Sequence, residues 1–103
     1  MKAVIIISTF PDKISITKIA NKMVKKILVA CVNIMKISSV YAWKGKIENQ
    51  PEYLGLFKTT KKNQPVLKKE LRKLHPYDIP EIAEINVDSI NQSYLKWLVD
   101  STR

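Results

Sequence analysis

The most concentrated chemistry lies in His75-Pro76-Tyr77-Asp78-Ile79-Pro80-Glu81, which holds the only histidine of the chain and two of its five prolines. An imidazole, a phenol and two carboxylates this close together could ligate a metal ion or exchange protons. The prolines fix two φ angles and bias His75 and Ile79 towards extended backbone, so the segment is a stiff strut. His75, Asp78 and Glu81 form the candidate metal set. The spacing carries nothing stronger: there is no CxxC, HxxxH or HxxE pattern, and Cys31 is remote. No Ser-His-Asp or Cys-His order stands in motif context, so catalysis is not expected. The plainer reading ends a helix at His75, beside the negative end of its dipole, and uses Asp78 and Glu81 for capping and turn hydrogen bonds.

A single domain, residues 1–103, must position this strut, since the chain is long enough for one core only. Apolar residues make up 46%, too many for a disordered chain, and only two glycines occur, which excludes glycine-rich phosphate loops. The longest apolar run, Ala3 to Ile7, is strand-sized, and the N-terminus lacks a signal-peptide pattern. With the lone Cys31, these features lead to the expectation of a cytoplasmic protein with no membrane partner. The net charge of +9 is uneven: residues 1–75 hold 16 Lys/Arg against 4 Asp/Glu, and residues 76–103 hold 2 against 5. Lys outnumbers Arg 16 to 2. Arg is the residue of bidentate phosphate and base recognition, so the basic body reads first as a solvated surface and nucleic acid is disfavoured.

The β-branched run Ala3-Val4-Ile5-Ile6-Ile7 predicts a strand buried on both faces, followed by turn and cap residues Ser8 to Asp12. From about Ser15, Ile16, Ile19, Ala20, Met23, Val24 and Ile27 make one helical stripe, ending near Leu28. Cys31 to Met35 and Val40 to Trp43 read as strand, with Lys44-Gly45-Lys46 as a break or bulge. Glu48 to Pro51 reads as a loop before a further strand, Tyr53 to Thr60, the two runs pairing as a long antiparallel hairpin. Asn63-Gln64-Pro65 starts a helix with Leu67, Leu71 and Leu74 inside and Lys68, Lys69, Arg72 and Lys73 outside. Ala83, Ile85 and Val87 alternate with Glu84, Asn86 and Asp88 as a strand with an acidic outer face, and Tyr94 to Val99 forms a short last helix.

The order β-α-β-β-α-β plus a terminal helix predicts an α+β, ferredoxin-like sandwich with the first and third strands central and both long helices on one face. Apolar residues on both sides of those strands leave a large patch on the open face, which predicts self-association. RNA recognition is a further alternative, because Tyr53-Leu54-Gly55-Leu56-Phe57 has an aromatic pattern used on such sheets. It lacks the leading basic-glycine pair, and the first strand has no aromatic partner. Trp43 and Trp97 read as core or interface residues.

Several stretches in order resemble the CutA divalent-cation tolerance family. They are Ser8-Thr9-Phe10-Pro11, Ala30-Cys31-Val32-Asn33-Ile34, Ser39-Val40-Tyr41-Ala42-Trp43-Lys44-Gly45-Lys46-Ile47, Lys58-Thr59-Thr60, His75 to Glu81 and Tyr94-Leu95-Lys96-Trp97-Leu98. The resemblance spans essentially the whole chain. It implies a homotrimer of ferredoxin-like subunits and a role in tolerance of divalent metal ions, by binding copper, zinc or another divalent cation and not by catalysis. A cleft between subunits formed by Trp43, Lys58, Tyr77, Glu81 and Trp97 is expected. The copper set of some bacterial members carries over poorly: their cysteine corresponds to Ser8 and an additional histidine to Leu74, leaving Glu81. An alternative is a PII-like signalling trimer that binds a small anion in its clefts through Lys44, Lys46, Lys58 or Arg72.

Overall fold

The computed structural model describes residues 1–103. Its elements are β1 (Ala3–Phe10), α1 (Lys13–Lys25), β2 (Cys31–Trp43), β3 (Lys46–Thr60), α2 (Gln64–Leu74), β4 (Ala83–Asn86) and α3 (Gln92–Ser101). The strands form one sheet in the order β2-β3-β1-β4, with every neighbouring pair antiparallel. β1 and β3 are central, as the ferredoxin-like order requires.

The helices begin where the sequence supplies caps. Asp12 accepts a hydrogen bond from the Ser15 N–H at 2.7 Å, and Pro65 occupies the first turn of α2, where a missing N–H costs nothing. Ile16, Ile19, Ala20 and Met23 of α1 and Leu67 and Leu71 of α2 are buried. They close over Ile6, Phe10, Val29 and Phe57 in one core. α1 stops at Lys25, short of the expected Leu28, because Ile27 turns into the left-handed region at φ 63°. That conformation is unfavourable for a β-branched residue. The Ile27 carbonyl it exposes accepts from Asn63 Nδ2 at 3.3 Å, which ties the end of α1 to the start of α2.

Five further expectations are corrected. Ser8 to Phe10 is strand and not turn, because the ladder with β3 continues through Ser8↔Gly55, Thr9↔Leu54 and Phe10↔Tyr53. Lys44-Gly45 is a two-residue hairpin turn with both φ angles positive (51° and 78°), and no bulge. Strand pairing therefore runs straight through the expected loop, with Glu48 opposite Tyr41 and Pro51 opposite Ser38. The polarity of β4 is also the reverse of the alternation rule. Glu84 lies opposite Ile6 with 13% of its side chain exposed, whereas Ile85, opposite Ile5, is 45% exposed. Glu84 is tolerated there because it accepts from Lys61 and Gln64 and pairs with Lys68 at 3.0 Å. The Lys61 hydrogen bond, then that of Lys68, holds its carboxyl down at about 2.

The last correction concerns layers. α3 lies against β3, with the Lys58 ammonium 5.8 Å from the Tyr94 ring centre. Lys58 alternates with the buried Phe57, so α3 covers one end of the face opposite α1 and α2. Beyond it that face carries Ile5, Ile7, Leu54, Leu56 and Met35, the last 44% exposed. β2 and β3 also run on past the end of β1, since Phe10 pairs Tyr53 while the hairpin continues to Trp43 and Lys46. The resulting two-stranded arm stretches the molecule to 45 × 26 × 21 Å and its radius of gyration to 14.3 Å. A compact chain of this length has about 13 Å.

Candidate functional site

The strut leaves α2 at His75, whose backbone is extended as the following proline demands. Its imidazole lies flat on Phe10, ring centres 4.3 Å apart and planes 20° apart. Nδ1 accepts a hydrogen bond from the Tyr77 N–H at 3.1 Å, which puts the proton on Nε2. Nε2 faces the buried Ser8 Oγ at 3.1 Å, and that hydroxyl donates its own proton to the Glu81 carbonyl at 2.6 Å. The Ser8 hydroxyl thus clips both ends of the strut, His75 and Glu81, to β1. Burial pushes its pKa below the ordinary imidazole value, partly offset by the Thr9 backbone.

Tyr77 then reaches across to the hairpin arm and donates its phenol proton to Glu52 Oε2 at 2.6 Å. Burial, and secondly the Glu52 carboxylate, push this phenol well above its usual range. Between strut and arm lies an open groove of about 840 Å³, within the size range of small-ligand sites. Tyr41, Trp43 and Tyr77 supply its aromatic walls, and Glu48, Glu52, Asp78 and Glu81 its charge; no Lys or Arg lines it. In β2 and β3 the register sets these residues on one face, since Tyr41 pairs Glu48 and Ile37 pairs Glu52. That face is the one opposite α1 and α2.

Of the expected metal set, Asp78 and Glu81 line the groove, but His75 does not. Both its ring nitrogens are committed within the chain, and no three His, Cys, Asp or Glu side chains converge tightly enough to hold a metal ion. Cys31 lies on β2 beside Asn33, at the other end of that strand from the groove. Of the expected cleft, Trp43, Tyr77 and Glu81 meet in the groove. Lys58 and Trp97 instead belong to the α3 end, where Trp97 lies 5.4 Å from Tyr94. Sequence reasoning missed Thr9, Tyr41, Glu48, Gln50 and Glu52. The signal was there in Lys44-Gly45: read as a two-residue turn, it sets the register that brings Tyr41 beside Glu48.

The family model for the CutA1 divalent ion tolerance protein matches residues 4–101. The divalent-cation tolerance protein CutA of Pyrococcus horikoshii is 40% identical over 100 residues, covering 97% of this chain and 98% of that one. The crystal structure of the divalent ion tolerance protein CutA1 from Ehrlichia chaffeensis superposes with a TM-score of 0.96 at 31% identity, over 100% of this chain and 98% of the other. The protein from Archaeoglobus fulgidus, described as a periplasmic divalent cation tolerance protein CutA, gives 0.94 at 30% identity over 98% and 99%. With an almost complete family match and full-length relatives of this similarity, the chain belongs to the CutA1 divalent ion tolerance family.

Proposed function

We propose that this protein serves divalent-cation tolerance as a non-catalytic homotrimer that binds a divalent cation, zinc or copper, at the acidic groove. The observation that carries the reading is the groove's charge: four carboxylates and no cation, in a chain of net charge +9. Such a lining favours a cation over the small anion of a PII-like trimer. Its donors are oxygens, which suit Zn²⁺ or Cu²⁺ better than Cu⁺. One chain supplies too few converging ligands, so a second copy completes the set beside Glu52, Asp78 and Glu81. In this reading His75 positions the strut and does not ligate.

Two features support self-association. The face opposite α1 and α2 leaves Met35 and Ile85 about half exposed, at 44% and 45%. The two-stranded arm projects without a third strand, and an isolated hairpin is marginally stable in water unless it packs on something. The free Cys31 fits a reducing compartment, so the site of action is cytoplasmic in this reading. Calorimetric titration with Zn²⁺ and with Cu²⁺ tests the groove. Saturable heat is expected, absent in Glu52→Gln and Glu81→Gln and kept in His75→Gln; a wild-type protein without saturable heat overturns the proposal. Native mass spectrometry should show a particle of three 11.9 kDa chains.

A further inference from the structure

Nine of the 18 Lys and Arg residues sit on α1, its C-cap Lys26 and α2, the layer that the groove does not use. Lys13, Lys18, Lys22 and Lys25 of α1 and Lys69, Arg72 and Lys73 of α2 are all exposed, and none has a carboxylate partner. The two helices carry a single acid, Glu70, which pairs with Lys26 and bridges them. A merely solvated face would mix both signs. Here Lys18 and Lys22, and Lys69 and Lys73, are like charges one turn apart, an arrangement that costs helix stability and that Glu70 and the helix C-termini offset only in part. Its natural complement is an extended anion outside the chain.

Alkyl groups stand among these cations. Ile14 is 81% exposed one turn before Lys18; Val24 and Ile27 at the end of α1 are 46% and 47% exposed, and Val66 on α2 is 53% exposed. Ile27 is held outward in its left-handed conformation by the Asn63 bond. Neither helix contains Phe, Tyr or Trp, and only one Arg occurs, so base stacking and bidentate phosphate recognition have no residues here. Lysines that supply diffuse charge around bare alkyl side chains match the interfacial zone of a bilayer, where headgroups are anionic and the layer below is apolar.

We propose that the outer face of α1 and α2 docks on an anionic lipid surface, with the lysines drawing the protein down and Ile14, Val24 and Ile27 entering the headgroup layer. No helix is long and apolar enough to cross a bilayer, and a peripheral contact of this kind needs none; it departs from the expectation of no membrane partner.

Co-sedimentation with phosphatidylcholine vesicles, with and without phosphatidylglycerol, tests it. Binding is expected only to the anionic vesicles, falling as salt is raised. The variant Lys18→Gln/Lys22→Gln/Lys25→Gln should lose about 100-fold in partitioning, since each cation contributes about fivefold near such a surface. Ile14→Ser/Val24→Ser should lose about tenfold with every charge intact. Lys96→Gln, on the opposite layer, should bind as the wild type does. Absence of binding to anionic vesicles at low salt overturns the proposal, as does binding by the lysine variant equal to the wild type. So does an Ile14→Ser/Val24→Ser variant with full affinity alongside tighter binding to duplex nucleic acid at the same salt, which would make the face a phosphate-backbone surface. All substituted side chains are exposed or half-exposed, and circular dichroism confirms that each variant is folded.

Discussion

Around the strut, Glu52 accepts a hydrogen bond from the Tyr77 phenol at 2.6 Å and His75 has both ring nitrogens engaged, while on the outer faces of α1 and α2 seven cations face water with no partner. The first region carries its polarity in a half-buried, directional network anchored on β1 and β3. The second carries more charge with no geometry at all. Removing a member of the network strands a partner in a part-dry place, whereas removing a surface lysine relieves repulsion. The contrast separates what holds the molecule together from what gives it a field: stability should be sensitive at the strut, and long-range attraction at the helices.

The strongest way to break this contrast is at the platform under the strut. Phe10 is buried in the core and stacks on His75, so Phe10→Ala should cost about 3–5 kcal/mol in urea unfolding. Next is Gly55, which faces α1: a Cβ there would meet Phe57 Cε1 at 2.6 Å and Ile16 Cδ1 at 2.9 Å. Gly55→Ala should destabilise by about 1–3 kcal/mol through overpacking. Tyr77→Phe should cost about 1 kcal/mol by removing the donor to Glu52. It should also erase from the near-ultraviolet titration a phenol that ionises above the ordinary tyrosine range. The folded state holds that proton more tightly than the unfolded chain, so this contribution is present below about pH 10 and lost as pH rises beyond it.

Acid acts on the strut in the other direction. The native imidazole of His75 has a lowered pKa, so as pH falls the unfolded chain takes up the proton first. The stability contributed is complete above about pH 6.5, declines below it and levels off once the native ring is protonated too. Denaturation midpoints across this range should show the slope in the wild type and lose it in His75→Gln. At the small end, Lys22→Gln should move stability by no more than about 0.5 kcal/mol, in keeping with an exposed and unpartnered charge. A loss as large as that of Tyr77→Phe would show that the helix layer is also a structural network and erase the contrast.

The helices, the strand order and the strut were legible because each rests on local rules: the stripe from Ile16 to Met23, the cap at Asp12, the prolines flanking Ile79. The groove was half legible. Asp78, Glu81, Tyr77 and Trp43 attract notice as residue types, but Glu48 and Glu52 join them only through register. Register hung on reading Lys44-Gly45 as a turn with two positive φ angles, which a lysine at the first position disguises. The inversion of β4 was illegible, because alternation assumes that the apolar side faces the core. Glu84 can face inward only because Lys61, Gln64 and Lys68 converge from other elements.

By itself the sequence determined most element types, the α+β fold class, the concentration of basic residues and the stiffness of His75 to Glu81. These follow from side-chain periodicity, proline geometry and composition, all properties of neighbouring residues. Only the tertiary structure decided that both His75 ring nitrogens are engaged within the chain, that α3 covers the opposite face, and that four acids meet in one groove while seven unpaired cations gather on one layer. Those outcomes depend on which groups meet across the chain, and hydrogen bonds and electrostatic pairing act through distances in space that spacing in sequence does not set.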